Sequence, residues 1–175
     1  MNSEKIISEK IETPVGTMLA AASSKGICLF EFMDVDKRLN RQQNHLKKIF
    51  GCKIESGTSP YLDQLKTELN EYFSGERKQF NVPLDFKGTD FQMLSWEALK
   101  KIPYGETRSY QDQAIAIKKP KAVRAVANAN NRNKISILIP CHRVIGKNGS
   151  MTGYGGEIWR KEFLLKLESG TNYSS

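Results

Sequence analysis

Near the start of the chain, three apolar stretches alternate with turn-forming residues. Lys5 to Ile11, Thr17 to Ala22 and Gly26 to Phe32 read as strands, and Pro14, Gly16 and Gly26 punctuate them as a meander with tight turns requires. The period then lengthens. Asp36 to Phe50 and Pro60 to Phe73 follow helical spacing, and in the second Leu62, Leu65, Leu69 and Phe73 form one stripe that needs a core to cover it. Ser74 to Gly88 is polar with one short apolar stretch and reads as a linker. A domain boundary is therefore expected near Lys87, giving an α+β lobe over 1–86 and a mostly helical lobe over 87–175.

In the second half, Thr89 is placed to cap a helix reaching about Lys101, with Phe91, Leu94, Trp96 and Leu99 as apolar surface, before Pro103 and Gly105 end it. Ser109 is placed to cap Tyr110 to Ile117; the turn KKP follows, then a helix from Lys121 to about Asn130. Two short helices across a tight turn describe a helix-turn-helix. Projected at 100° per residue, Val123, Val126 and Ala127 of the second helix face the core, while Lys121, Arg124, Ala125 and Asn128 lie opposite. Alanines at Ala122, Ala125 and Ala129 would let the helix axis approach a surface closely. Ile135 to Ile139 reads as a short buried strand that delivers Pro140, Cys141, His142 and Arg143. A flexible glycine-rich stretch follows, then a last amphipathic helix from about Ile158 to Glu168 carrying Trp159, Phe163, Leu164 and Leu167, and a loose GTNYSS tail.

Charge sharpens this division. The formal net charge is +8, yet residues 1–86 hold 12 basic and 12 acidic residues, whereas 87–175 hold 15 and 7. All of the excess lies in the helical half, and between Tyr104 and Lys147 the ratio is 9 to 2, as expected of a surface that meets phosphates. The N-terminal segment has no apolar h-region, no stretch has membrane-spanning length, and three cysteines make an odd count without paired spacing. A cytoplasmic protein with reduced thiols is expected.

Cys141 beside His142, Arg143 and a basic segment has the surroundings that turn a thiol into a nucleophile. Side chains of adjacent residues in an extended chain point apart, so His142 would act through a water or after a turn. Zinc is discounted, because Cys52 and His45 lie in the other lobe. On these residues alone, a DNA-binding module with an inert Cys141 and a thiol hydrolase using Cys141, His142 and Glu168 both stay open.

PCHRVIG at 140–146, FQMLSWEALKKIPYGETRSYQDQA at 91–114, KAVRAV at 121–126 and MTGYGG before RKEFLLKLE resemble the methylated-DNA–protein-cysteine methyltransferases, the 6-O-alkylguanine repair proteins. The likeness extends to TPVGTMLAAASSKGICLFEF at 13–32. Cys141 stands where alkyltransferase-like relatives carry tryptophan. The resemblance implies a ribonuclease H-like N-terminal lobe, an antiparallel sheet with helices, and a C-terminal helix-turn-helix lobe that binds double-stranded DNA in the minor groove with little sequence specificity, as a monomer and without cofactor or metal. It implies that Cys141 accepts the alkyl group from 6-O-methylguanine, and from 4-O-methylthymine, in DNA, once per molecule. His142 would take the thiol proton through a water, Glu168 would orient His142, and Asn133 would order the turn before the active-site strand. Arg124 would enter the duplex as the base is rotated out, Tyr110 would crowd the 3′ phosphate and donate to the base, and Tyr154 would line the pocket. Gln111, Ala122, Ala125, Asn128 and Arg143 would complete the DNA contacts. The chain departs from the family where glycine is common, at Ala127, Asn128 and Asn131, and where proline is common, at Lys134.

Overall fold

The computed structural model describes residues 4–151 and 153–170; the expected loose tail beyond Gly170 lies outside them. The chain forms two compact units, Met1–Lys87 and Gly88–Ser175.

In the first unit the alternating segments form β1 (Ile6–Thr13), β2 (Gly16–Ala22) and β3 (Ile27–Phe32), antiparallel neighbours in sequence order. A fourth strand, β4 (Ile54–Ser56), joins parallel to β1, giving the order β3-β2-β1-β4. Nothing in the sequence pattern announces β4. It is three residues long, two of them exposed, and only pairing with Ile6 to Ser8 gives it strand geometry. The helices α1 (Asp36–Phe50) and α2 (Pro60–Phe73) fall where their spacing places them. Leu39 and Leu46 of α1 cover one face of the sheet with Ile6, Leu19, Ala21, Cys28 and Leu29, whereas Met18, Ala20 and Ala22, equally buried, point the other way by strand alternation. Ser59 caps α2 at the Tyr61 amide, and Pro60 opens the helix where no amide donor is needed.

The segment expected to be a linker is instead stitched into this unit. Leu84 bridges Ile27, the Ile27 amide donates to the Pro83 carbonyl, and the Asp85 amide donates to the Ile27 carbonyl. Buried Glu68 accepts from the Asn81 and Val82 amides at 2.6 and 3.1 Å. Polar composition suggested a loop in solvent, but backbone donors and acceptors lying against a sheet edge are satisfied by the sheet. The approach is close enough that Gly26 admits no side chain: a Cβ there would collide with the Pro83 carbonyl.

The second unit is built on helices. Thr89 and Gln92 form a reciprocal capping box at the start of α3 (Asp90–Lys100), and Ser109 and Asp112 do the same for α4 (Tyr110–Ala116). Next come α5 (Val123–Asn131) and, after a stretch of turns, α6 (Ile158–Ser169), closed by Gly170 in the left-handed conformation. Trp96 and Leu99 of α3 are buried, but Leu94 is 47 % exposed, and Trp159 at the start of α6 is 51 % exposed. Both were expected on the apolar side of their helices, and that part of the apolar surface faces outward. Two more strands escape sequence reading, β5 (Arg108–Ser109) and β6 (Val144–Ile145), which pair in parallel and bring the start of α4 beside the residues after Cys141.

The expected strand over Ile135 to Ile139 does not form. The Leu138 amide donates to the Ser136 carbonyl and the Ile139 amide to the Ile135 carbonyl, while Ile137 has φ of 74°. These five residues are buried as a folded turn rather than an extended segment. A short apolar run reports burial; it does not report backbone conformation.

Gly26→Ala should lower the stability of the chain by about 1–3 kcal/mol through that collision. Chemical denaturation checks this, and an unchanged midpoint would mean that the Pro83 strand edge yields freely.

Candidate active site

Cys141 opens a 3₁₀ turn, Cys141–Arg143, set by Pro140, whose carbonyl accepts from the Arg143 amide at 3.0 Å. Cys141 is 8 % exposed and His142 is fully enclosed. The turn replaces the extended geometry expected for these two residues, so they are held by a rigid local fold rather than by a strand end.

Two residues of the turn, His142 and Arg143, converge on α6. His142 Nε2 lies 2.8 Å from Glu168 Oε2, Arg143 Nε donates to Glu168 Oε1 at 2.7 Å, and Arg143 Nη2 donates to Oε2 at 2.9 Å. Arg143 Nη1 donates to the Ile102 carbonyl at 2.7 Å. Burial alone would push the Glu168 carboxyl up, but the facing His142 and Arg143 hold it well below the usual carboxylate range, so it stays ionised. Burial dominates at His142 and pushes its pKa down, against the pull of Glu168, leaving a neutral imidazole. An ionised carboxylate can only accept. Nε2 therefore carries the proton, and Nδ1 is left with a lone pair. That Nδ1 is buried without a hydrogen-bond partner among the described residues, so it makes no direct bond to the thiol.

Asn133, fully buried, closes the other side. Its Nδ2 donates to the Ile139 carbonyl at 2.8 Å and to Cys141 Sγ at 3.4 Å, and its Oδ1 accepts from the Ile135 amide at 3.0 Å. One amide thus orders the turn that stands where a strand was expected.

Lys161 is a member of the site that sequence reasoning missed. It is fully buried on α6, and its ammonium donates to the Val144 carbonyl at 2.5 Å and sits 5.9 Å from the Tyr154 ring centroid. Burial lowers its pKa, and the charge of Cys141 opposes that. Tyr110 is also within electrostatic reach of the sulfur: burial raises its hydroxyl, and Cys141 raises it further. The signal for Lys161 was weak, a lysine two residues after the apolar pair Ile158–Trp159 in a helix that reads as amphipathic. Gly153 packs against Tyr110, since a side chain there would strike the Tyr110 hydroxyl. Cys141, Tyr110, Lys161, Gly153 and Tyr154 are therefore linked as neighbours around the thiol.

The other residues expected at the site divide by exposure. On α5, Arg124, Ala125 and Asn128 are exposed, with Lys121 before the helix, while Ala122 is half-buried. Ala129 is not on that face; it is 3 % exposed and its carbonyl accepts from Trp96 Nε1 at 2.9 Å. Gln111 donates to the Pro120 carbonyl at 2.9 Å, tying α4 to the interhelical turn. Arg143, expected among the DNA contacts, is buried and committed to Glu168 and Ile102, so its place is inside the site as the carboxylate's counter-ion. Lys134, standing where proline is common in the resembling family, is 5 % exposed with its ammonium 5.1 Å from the Trp96 ring centroid. Among the described residues, no group of three or more His, Cys, Asp or Glu side chains is placed to hold a metal.

Acid should weaken this fold in two steps. His142 is neutral when folded and protonates readily when unfolded, so its contribution is complete above about pH 6.5 and falls as pH drops below it. The contribution of ionised Glu168 is present above about pH 4.3 and is lost further down. Denaturation midpoints between pH 8 and 5 should decline below about 6.5, and His142→Asn should flatten that decline. An identical slope in the variant would locate the acid sensitivity elsewhere.

Comparison with known proteins gives this geometry a family. Residues 90–170 match the 6-O-methylguanine DNA methyltransferase DNA-binding domain, and residues 6–86 match the ribonuclease-like domain of the same family. The chain is 44% identical over 158 residues to the methylated-DNA–protein-cysteine methyltransferase of Methanosarcina barkeri, covering 90% of this chain and 94% of that one. It is 47% identical over 161 residues to the constitutive enzyme of that name from Bacillus subtilis, covering 90% and 92%. The crystal structure of Mycobacterium tuberculosis O6-methylguanine methyltransferase superimposes with a TM-score of 0.82 at 38% identity, covering 97% and 96%. That of M. tuberculosis OGT in complex with DNA superimposes with a TM-score of 0.81 at the same identity and coverage. The chain belongs to the 6-O-methylguanine DNA methyltransferase family, enzymes that repair DNA by direct reversal, moving the methyl group onto a protein cysteine.

Proposed function

We propose that Cys141 is the methyl acceptor and that the His142–Glu168 pair is the base that prepares it. One observation carries this reading: His142 commits Nε2 to Glu168 and keeps Nδ1 as a buried, unpartnered lone pair one residue from the thiol. A water between them takes the thiol proton to Nδ1, and Glu168 stabilises the imidazolium that forms. The sulfur then attacks the methyl carbon of 6-O-methylguanine in line with its bond to oxygen. As the carbon–sulfur bond forms, the carbon–oxygen bond breaks, and guanine leaves as an anion that the Tyr110 hydroxyl can protonate. The Lys161 ammonium favours negative charge at the sulfur. An S-methyl thioether has no easy leaving group, so each molecule reacts once.

A thiol this buried cannot reach a base stacked in a duplex, so the nucleotide is rotated out of the stack toward Cys141, beside Tyr110 and Tyr154. The α5 face of Lys121, Arg124, Ala125 and Asn128, cationic but otherwise of modest bulk, suits the minor groove, with Arg124 filling the vacated stack. Binding is to the backbone and tolerant of sequence, by a monomer. 4-O-Methylthymine presents the same alkyl–oxygen bond and is a second substrate. Three free cysteines fit action in the reducing cytoplasm.

Mixing the protein with a duplex containing 6-O-methylguanine should add one methyl group to Cys141, read by mass spectrometry of the intact chain and its peptides. Cys141→Ser should remain unmodified while still binding the duplex. Methylation of the Ser variant, or of another residue in the native chain, would overturn the assignment. Lys161→Met should slow transfer at saturating DNA by roughly tenfold or more, about 1.4 kcal/mol in the barrier. Rapid-quench single-turnover rates measure this, and a native rate would remove Lys161 from the site's electrostatics.

A further inference from the structure

Three helices of the second unit are joined by a pair of buried amides that the reaction above does not use. Gln113 on α4 is 2 % exposed and Asn130 on α5 is 5 % exposed. Gln113 Nε2 donates to Asn130 Oδ1 at 2.9 Å, and Asn130 Nδ2 donates back to Gln113 Oε1 at 2.7 Å. The second proton of Gln113 Nε2 goes to the Ser95 carbonyl of α3 at 3.1 Å. Each amide is thus the other's acceptor, and the pair has one geometry in which these bonds are satisfied. An apolar contact between the same helices would tolerate sliding; a reciprocal amide pair does not.

Position along α5 gives the pair a consequence. Asn130 shares the inward side of α5 with Val126 and Ala129, whereas Arg124, Ala125 and Asn128 face solvent. The Asn130 carbonyl accepts from the Asn133 amide at 3.2 Å, and Asn133 in turn holds the Ile139 carbonyl and the Cys141 sulfur. The end of α5 is further fixed by the bond from Trp96 Nε1 to the Ala129 carbonyl. A path of hydrogen bonds therefore runs from α3 and α4, through the last turn of α5, to the thiol.

We propose that the Gln113–Asn130 amide pair is a positioning device that sets the register of the last turn of α5 and, through Asn133, the aim of the Cys141 sulfur. Neither residue touches the sulfur or the DNA-facing side of α5. Their effect is on the rate of transfer from bound DNA, with little effect on how tightly the duplex binds. The proposal rests on Cys141 being the methyl acceptor.

Gln113→Leu and Asn130→Leu, each leaving one amide buried alone, and the double Leu variant, which removes both, test this. For each, duplex affinity, the single-turnover transfer rate at saturating DNA, and the thermal midpoint are measured. The double variant should recover most of the midpoint lost by the single variants, yet transfer at least tenfold more slowly than the native chain, with affinity within threefold. A pair that only stabilised the fold would recover rate along with midpoint, and that outcome would overturn the proposal. In the native protein, the side-chain amide protons of both residues should exchange slowly with solvent by NMR; rapid exchange at either would overturn it without any variant. If the native chain itself transfers no methyl group, the assignment of Cys141 fails. If it transfers and the double variant matches it, only the amide pair's role fails.

Discussion

The active site is organised around one buried anion. Glu168 accepts from His142 and Arg143, so a single carboxylate on α6 holds two of the three residues of the 3₁₀ turn. A carboxylate taken out of water is tolerated only if it is paired and hydrogen-bonded, and removing one partner of such a pair costs about 3–5 kcal/mol. Arg143 supplies the permanent charge, which frees His142 from having to be protonated. An imidazole that must stay charged to hold its neighbour could not serve as a base. The division of labour between a guanidinium that pairs and an imidazole that stays neutral leaves Nδ1 of His142 with its lone pair.

The same economy of position appears on α5. Its outward side exposes an arginine, an alanine and an asparagine, and its inward side carries Val126, Ala129 and Asn130 against α3 and α4. Its C-terminal turn leads directly into Asn133. The helix with the exposed cationic side and the asparagine bonded to the Cys141 sulfur are therefore consecutive pieces of one chain, joined where the Asn133 amide donates to the Asn130 carbonyl. Lys134, in place of a residue that would rigidify the backbone, is held over the Trp96 ring, so the turn after α5 is fixed by a side-chain contact instead.

Much of this was legible along the chain. Strands β1 to β3, helices α1 and α2 and the capped starts of α3 and α4 follow from alternation, helical stripes and Ser or Thr placed to cap, because these signals act over a few neighbouring residues. Family likeness in PCHRV and its surroundings singled out Cys141, His142 and Asn133. Glu168 had no local signal at all, being an acidic residue near a helix end, and only the likeness marked it. The errors share one cause. Ile135 to Ile139 was read as a strand, Ser74 to Gly88 as a linker and Leu94 and Trp159 as part of the apolar faces of their helices, each from composition that reports burial or polarity without direction.

The sequence by itself determined which segments could form helices and strands, where the positive charge would collect, and which thiol had the surroundings of a nucleophile. The tertiary structure decided which polar groups are satisfied by which partners. Arg143 and Glu168 are 25 residues apart, Trp96 and Ala129 are 33 apart, and Arg143 and the Ile102 carbonyl are 41 apart. Hydrogen bonds act over about 3 Å in space whatever the separation along the chain. Their partners are therefore chosen only when the core closes and buried donors and acceptors can no longer turn to water.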